Sequence, residues 1–344
     1  MIDENLQVKT MNADTTQKRL LDKIASTLPD NISLALELAD LLDISSDSAY
    51  RRIRGETELS IKETHILCEH FQISFDEFVH VNENLVTFSY EEYEQTLESF
   101  EKYFAGLRED LMKIRKSDLA NKHITYLGDN LPILHYFNSP NLSPFKLFYW
   151  TNIIMPNRRE KFHAEFVNPP LFEIGQQIYA DYMNVPSTEV WTDSTILGVI
   201  EQILFYWNTG MFESKSDAII ICNELRSLIN LIERQTERGK KFMEVDGQLV
   251  EGAEYNFYYS EIEFENTCIH VELGEYQMVY LGHLSHRYIK TTDKRYAKSI
   301  RAWYQNILNR SNLLSKASET VRYRFFSRCY DKIENAVKQI ELTK

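Results

Sequence analysis

Between Ser89 and Ser117 the chain carries apolar side chains at Tyr90, Tyr93, Leu97, Phe100, Phe104, Leu107, Leu111 and Ile114, spaced alternately by three and four residues. Such an alternation keeps one stripe on one side of a helix, so the stretch predicts a single long helix with an apolar seam that must be covered. Two coverings are open. A second copy of the helix could pair with the first, with Asp110 and Arg115 at the flanking positions that bridge in a parallel pair. Alternatively the seam packs on the rest of its own chain, which suits its composition: four of the eight residues are Tyr or Phe, bulky for a two-stranded coil.

The seam divides a chain of 344 residues, long enough for two or three domains of ordinary size, and a hydrophobic fraction of 43% supplies their cores. On the N-terminal side the pattern is of short helices. Leu20, Leu21, Ile24 and Leu28 share one face of a helix that ends before Pro29. Leu34, Leu38, Leu41 and Leu42 face inward on a second helix, capped by Asn31 or Ser33. After a break at Asp43, Ile44 and Ser45, a third helix runs over 46–54 and stops at Gly55, which tolerates the left-handed conformation that ends helices. Ser60, three residues before Glu63, makes a capping box for a fourth helix through Phe71, and Ser74 with Glu77 caps a short fifth turn.

The stretch ELADLLDISSDSAYRRIRGETELSIKETHILCEHFQISFDEF (residues 37–78) resembles the helix-turn-helix of phage repressor and Cro-type (Xre-type) transcription regulators. Ala39 is the small residue where two helices cross, and Ile44 is the apolar residue of the turn. Ala49 and Ile53 are the buried stripe of the reading helix, Gly55 its end, and Ile61, Leu67 and Phe71 the continuing core. The chain departs from the family at Asp43, where Gly is common; Asp enters the left-handed region more readily than most residues, so the turn remains feasible. The resemblance implies a double-stranded DNA operator as partner and a two-fold pair of chains, because symmetric half-sites demand one.

With Ala49 and Ile53 inward, the outward positions of the third helix are Ser46, Asp47, Ser48, Tyr50, Arg51, Arg52 and Arg54. Three arginines in four positions supply charge for phosphates and guanine edges. Ser46 and Ser48 sit at the helix N-terminus, where donors meet phosphate, and Asp47 repels phosphate but can accept from a cytosine amino group. The competing reading is a solvated face on a bundle used for protein contact. It draws strength from residues 1–85, which hold 8 Lys and Arg against 16 Asp and Glu, a net of −8 within the −13 of the whole chain.

From residue 120 onward the pattern mixes helix and strand. HITYLGD (123–129) and FKLFYWT (145–151) read as strands around a helical stretch near Leu131–Asn138, followed by helices at Leu171–Met183, Ile196–Trp207 and Ser216–Arg238. Asp246-Gly247 between KFMEV and QLVEG is a hairpin signal. Alternating apolar residues from Tyr255 to Tyr280, with turns at Glu265-Asn266 and Gly274-Glu275, predict an antiparallel meander, and helices close the chain at Lys294–Arg310 and Ser318–Leu342. The stretch TTDKRYAKSIRAWYQNIL weakly resembles non-catalytic regulatory domains with a phospholipase D-like fold. His286, Lys290 and Asp293 lack the spacing of the catalytic signature of those enzymes.

No P-loop, dinucleotide-binding, nucleophile-elbow or HExxH motif occurs, and 11 glycines leave little for phosphate-cradling loops. His283 and His286 have a spacing metals use but no third ligand near them in sequence, so no metal and no cofactor is expected. Arg287, Lys290, Lys294, Arg295, Lys298 and Arg301 form either an anion site or a set of partners for acidic neighbours. Cys68, Cys222, Cys268 and Cys329 are scattered without a C-x-x-C pair, as in reduced cytoplasmic proteins. The polar N-terminus is not a signal peptide, and the longest apolar runs are too short to cross a bilayer.

The expected organisation is multidomain: an all-α helix-turn-helix domain at 16–82, a heptad linker and dimerisation helix at 88–118, and a mixed α/β regulatory domain at 120–344. The expected function is that of a non-enzymatic, cytoplasmic, homodimeric DNA-binding transcription regulator. Its large domain senses a small-molecule or protein effector, and no membrane is involved. The alternatives are an adaptor that never touches DNA and an enzyme with an unrecognised site in 120–344.

Overall fold

A computed structural model describes residues 16–25, 28, 32–71, 73–75, 78, 85–92, 94, 96–117, 121–154, 160–163, 169–245, 248–284 and 287–343. They fall into two compact units, Met1–Thr87 and Phe88–Lys344. Asn31, Glu77, Tyr93, Asp246, Gly247 and His286, each singled out in the sequence, lie outside the described residues.

The N-terminal unit is helical: α1 (residues 16–25), α2 (Leu34–Leu42), α3 (Ser46–Ile53) and α4 (Ile61–His70). Leu20, Leu21, Ile24, Leu38, Ala49, Leu67, Ile73 and Phe78 form its core, with Ala39, Ile44 and Ile53 packed against them. Ile61 does not join it: at 90% exposure it points to solvent. As the first residue after the Ser60 cap it faces outward, and Leu59 packs on the core instead.

The turn from α2 to α3 is carried by Asp43 in the left-handed region, φ 52° and ψ 51°, its N–H donating to the carbonyls of Ala39 and Asp40. A side chain there crowds the following carbonyl, a strain glycine escapes. Asp43→Gly is therefore expected to stabilise the unit by roughly 0.5–1 kcal/mol in a thermal melt. No gain would mean that the Asp43 side chain offsets the strain.

The C-terminal unit opens with α5 (Leu97–Lys116), capped by Thr96, whose hydroxyl accepts from the Ser99 N–H at 3.1 Å. The chain continues through β1 (His123–Leu127), α6 (Ile133–Tyr136), α7 (Leu142–Ile154), α8 (Pro169–Met183), β2 (Ser187–Trp191), α9 (Leu197–Asn208) and α10 (Lys215–Arg238). It then forms β3 (Lys240–Val245), β4 (Gln248–Tyr259), β5 (Cys268–Leu273), β6 (Tyr276–His283), β7 (Arg287–Thr291), α11 (Lys294–Leu308), β8 (Asn312–Leu313) and α12 (Glu319–Leu342). The sheet order is β3-β4-β2-β1-β5-β6-β7, with β8 also on β4. β1, β2 and β4 are mutually parallel in the centre, and β5, β6 and β7 form an antiparallel meander beside β1. One sheet face, with Trp191, Tyr255, Phe257 and Val271, packs into the main core together with helices α5 to α10 and α12. The other face sets Leu127 and Val190 against Tyr304 and Ile307 of α11.

Four expectations change. The seam helix starts at Leu97, not Tyr90, and belongs to the C-terminal unit. Its stripe is covered from within: Phe100, Phe104, Leu111 and Ile114 are buried in the main core, whereas Tyr90 is 69% exposed. Asp110 and Arg115 are likewise taken by Lys290 at 3.0 Å and Asp181 at 2.5 Å. Side chains buried within one chain cannot also face a partner helix, so a homodimer through Tyr90–Ile114 would need this core opened. Second, residues 145–151 are helical, as part of α7; Phe145, Leu147, Phe148 and Trp150 are all buried, and a helix apolar on every side loses its period. Third, β2 and β7 are strands where the sequence pattern predicts none. Fourth, β4 leaves the expected meander to run parallel to β2, and Phe264 belongs to a loop, buried against the α11 face. The β3–β4 hairpin forms, with Val245 opposite Gln248.

Among the described residues, no helix is long and apolar enough to cross a membrane.

Candidate nucleic-acid interface

Helix α3 is short, and its ends are held by side chains. The Ser45 hydroxyl accepts from the Ser48 N–H at 3.2 Å and donates to the Ser48 hydroxyl at 2.9 Å. This satisfies one of the donors that every helix start leaves open, and the first two N–H groups stay directed out of the helix end. Successive residues turn by about 100°, which puts Ser46, Asp47, Tyr50, Arg51 and Arg54 within an arc of about 140°. All five are exposed, while Ala49, on the opposite side, is fully buried.

Two of the seven expected contact residues do not belong to this arc. Ser48 is half-buried and serves the cap. Arg52, with its side chain only 15% exposed, lies on the flank between α3 and α4, where it donates to Glu63 at 2.6 Å and to the Ser48 carbonyl at 3.2 Å. Glu63 in turn accepts from the Ser60 N–H at 2.7 Å, completing the capping box of α4. Burial alone would push the Glu63 carboxyl up, but the bonds from Ser60 and Arg52 outweigh it and hold it below the usual range. Arg52 thus joins two helices and is not available to a ligand without breaking that joint.

Arg54 forms a forked pair with Glu56, at 2.6 and 3.1 Å, on the exposed surface. The Arg54 bond holds the Glu56 carboxyl low. Arg51 approaches the same Glu56 at 3.7 Å and is 54% exposed on its side chain. Exposed pairs of this kind contribute little and are exchanged easily for a phosphate. The arc therefore presents two arginines sharing one carboxylate, flanked by Tyr50, Ser46 and Asp47.

A further tie comes from α1. Gln17 donates to the carbonyls of Arg52 and Thr57, both at 2.9 Å, and accepts from the Leu59 N–H at 2.8 Å. One amide therefore fixes the loop after α3. Its only mark in the sequence is a polar residue at the start of an amphipathic helix.

In the C-terminal unit the densest polar constellation surrounds Glu189 on β2. The carboxylate is fully buried, accepting from His135 Nε2 at 2.7 Å, Trp191 Nε1 at 2.8 Å and the Tyr182 hydroxyl. Burial would raise its pKa, but the His135 charge and the bonds from His135 and Tyr182 prevail and hold it below the ordinary value. Nearby, Lys241 donates to the carbonyls of Tyr182 and Val185 at 2.8 and 2.7 Å and lies 3.4 Å above the Tyr182 ring centre. Burial drives its ammonium well below the usual range. The signal available for this network was a carboxylate placed two residues from a Trp in an otherwise uncharged stretch. A separate amine, Lys146, is enclosed by Tyr136, Tyr149 and Trp150 at 4.7–5.2 Å, and burial lowers it to about 7.

One concave surface of this unit is a groove of about 640 Å³ beside α10, lined by Asn138, Arg226, Asn230, Arg234, Glu244 and Tyr330 among others. Arg226 and Arg234 are paired there with Glu334 at 3.3 Å and Glu244 at 3.0 Å. The basic stretch at 287–301 is spread over separate partners. Lys290 pairs with Asp110, Arg295 with Asp293 and Arg301 with Glu272. The four cysteines are free thiols, and burial pushes Cys222, Cys268 and Cys329 up to about 12. Among the described residues, no group of three His, Cys, Asp or Glu is placed to hold a metal ion, and His283 is exposed at the end of β6. No family model, curated protein or solved structure matches this chain.

Proposed function

We propose that the chain is a DNA-binding transcription regulator, reading duplex DNA with the Ser46–Arg54 arc, and that its C-terminal unit is a sensor of a small-molecule or protein effector. The observation that carries the reading is the build of α3. It is a short capped helix, braced by Ala49, Arg52 and Gln17, and its exposed face concentrates Tyr50, Arg51 and Arg54. Bracing of that kind sets side chains rigidly enough to read base edges, while the arginines and the helix N-terminus favour phosphate. The sensor reading draws on the size of the second unit and on its polar groove beside α10, which offers a concave surface to a polar ligand. The His135–Glu189 pair does not argue for catalysis, because both residues are sealed in the core, out of reach of a substrate.

The acidic background shapes how this binding would look. A net of −8 over residues 1–85 weakens general adhesion to DNA, leaving the arc to act locally. Selection of the full chain on random duplexes should enrich a short site. Its affinity should fall with salt at a logarithmic slope of about 0.9 per phosphate contact. Enrichment of no duplex, at low salt included, would give the place to the adaptor reading, which the shared use of Glu56 by Arg51 and Arg54 favours.

A further inference from the structure

The polypeptide entering the C-terminal unit is stitched to the free edge of its sheet. β7 has β6 on one side, and on the other Ser89 pairs with Lys290 in an antiparallel bridge. The Ser89 N–H donates to the Lys290 carbonyl at 2.7 Å, the Lys290 N–H donates back to the Ser89 carbonyl at 2.9 Å, and the Ser89 hydroxyl adds a bond to the same Lys290 carbonyl at 3.2 Å. One residue before it, Phe88 meets the Tyr296 ring of α11 edge-on at 5.4 Å. Three residues after it, the Glu92 carbonyl accepts from Arg287 at 3.3 Å.

Arg287 is built for holding. It is 3% exposed, its guanidinium rests 5.0 Å from the Tyr103 ring centre, and it also donates to the Ser99 hydroxyl in the first turn of α5 at 3.2 Å. Asp110, further along α5, accepts from Lys290 at 3.0 Å and from the Tyr280 hydroxyl at 3.2 Å. β7 is therefore fixed to α5, and the segment 88–92 is laid over the junction. Yet that segment is itself exposed: Ser89, Tyr90, Glu91 and Glu92 all face solvent, and one residue pair makes the whole bridge. Few bonds, reached by water, open at low cost.

We propose that residues 88–92 are a releasable strap, and that its hold on the β7 edge sets where the chain coming from the N-terminal unit is first anchored. While the strap is attached, the chain is anchored at Ser89, two residues after the boundary at Thr87. On release the first described residue still tied to the fold is Thr96, the cap of α5, and the added seven residues reach up to roughly 23 Å at about 3.3 Å each. A pair of reading helices must span half-sites roughly 34 Å apart or a multiple of it, so tether length decides which spacings are bound together. A shift of β7 against α5 breaks the Arg287 and Lys290 ties, which lets an effector in the C-terminal unit act on the strap. This regulatory meaning rests on the DNA-reading proposal and on two chains binding paired half-sites together; the strap itself rests on neither.

Ser89→Pro in the full chain tests it. The change removes one donor and the hydroxyl on an exposed residue and touches no core side chain. Amide exchange at Lys290 and protease cutting within 85–92 should each rise at least ten-fold, with the melting temperature of the C-terminal unit unchanged. On paired half-sites of varied separation, the wild-type chain should prefer one spacing and Ser89→Pro should accept several. Arg287→Ala should do the same, but it can also disturb the core, so Ser89→Pro decides. Lys290 exchange in the wild type as fast as in an unfolded peptide would overturn the strap. A spacing preference identical in wild type and Ser89→Pro, with exchange raised, would overturn its regulatory role. Absence of binding to any duplex would overturn the DNA-reading proposal and with it that regulatory role, while exchange and cutting would still decide whether the strap holds.

Discussion

A Glu189→Leu chain should lose about 3–5 kcal/mol of stability in its C-terminal unit, the cost typical of removing one partner from a buried charged network. Leucine fills a similar volume, so the loss comes from what is left behind. His135 Nε2 and Trp191 Nε1 would be buried without their acceptor, and the Tyr182 hydroxyl would keep only Ser187 at 3.1 Å. Denaturant unfolding followed by tryptophan fluorescence is the measurement, since Trp191 reports from the network itself. Because the native carboxyl is held below its ordinary value, its contribution is present above the unfolded pKa, about 4.3, and is lost as pH falls through the lower native value. Glu189→Gln should accordingly flatten the acid limb of the stability profile below about pH 4. A loss under 1 kcal/mol for the leucine variant would show that the network is not what holds β2 to α6 and α8.

Arg51→Ala should weaken binding to the selected duplex by roughly 10- to 100-fold, about 1–3 kcal/mol, while leaving the melting temperature of the N-terminal unit nearly unchanged. Its side chain is 54% exposed and its ion pair with Glu56 is long, at 3.7 Å, so folding has little invested in it. Arg52→Ala should behave in the opposite sense. Its pair with Glu63 at 2.6 Å is mostly shielded from water, and the loss should appear as roughly 1–3 kcal/mol of unit stability. The two neighbouring arginines thus give a paired control, measured by gel shift and by melting on the same preparations. Equal affinities for wild type and Arg51→Ala would remove α3 as the reading element.

What was legible in the sequence follows from how local each signal is. Caps and terminators act within four residues, so Ser60 with Glu63 and Gly55 could be read directly, and α3 and α4 appear at their expected positions. The role of Arg52 could not, because Glu63 already had a complete explanation as a capping residue and the pairing spans 11 residues. The seam illustrates the same limit differently. Its spacing states that a stripe exists, and the stripe from Phe100 to Ile114 is buried, but spacing carries no information about what covers it. β2 was hidden because a central parallel strand is covered on both faces, and its sequence STEVW shows neither alternation nor a continuous apolar run. Its Glu189 shows in the sequence only as a carboxylate two residues from a Trp, since His135 and Tyr182, which bury and bind it, come from two other segments.

The pairing of β1 with β5 has a consequence in time. Leu127 lies opposite Cys268, so β1 waits for a neighbour made 141 residues later. At roughly 5–20 residues per second, a ribosome takes about 7–30 s to supply it. Throughout that interval β1 has an open edge, while the core of the N-terminal helices, from Leu20 to Phe78, is already complete in the chain made before it. The emerging chain is therefore expected to complete its small helical unit well before the large sheet closes. During those seconds the open edge of β1 is exposed to mispairing with other chains.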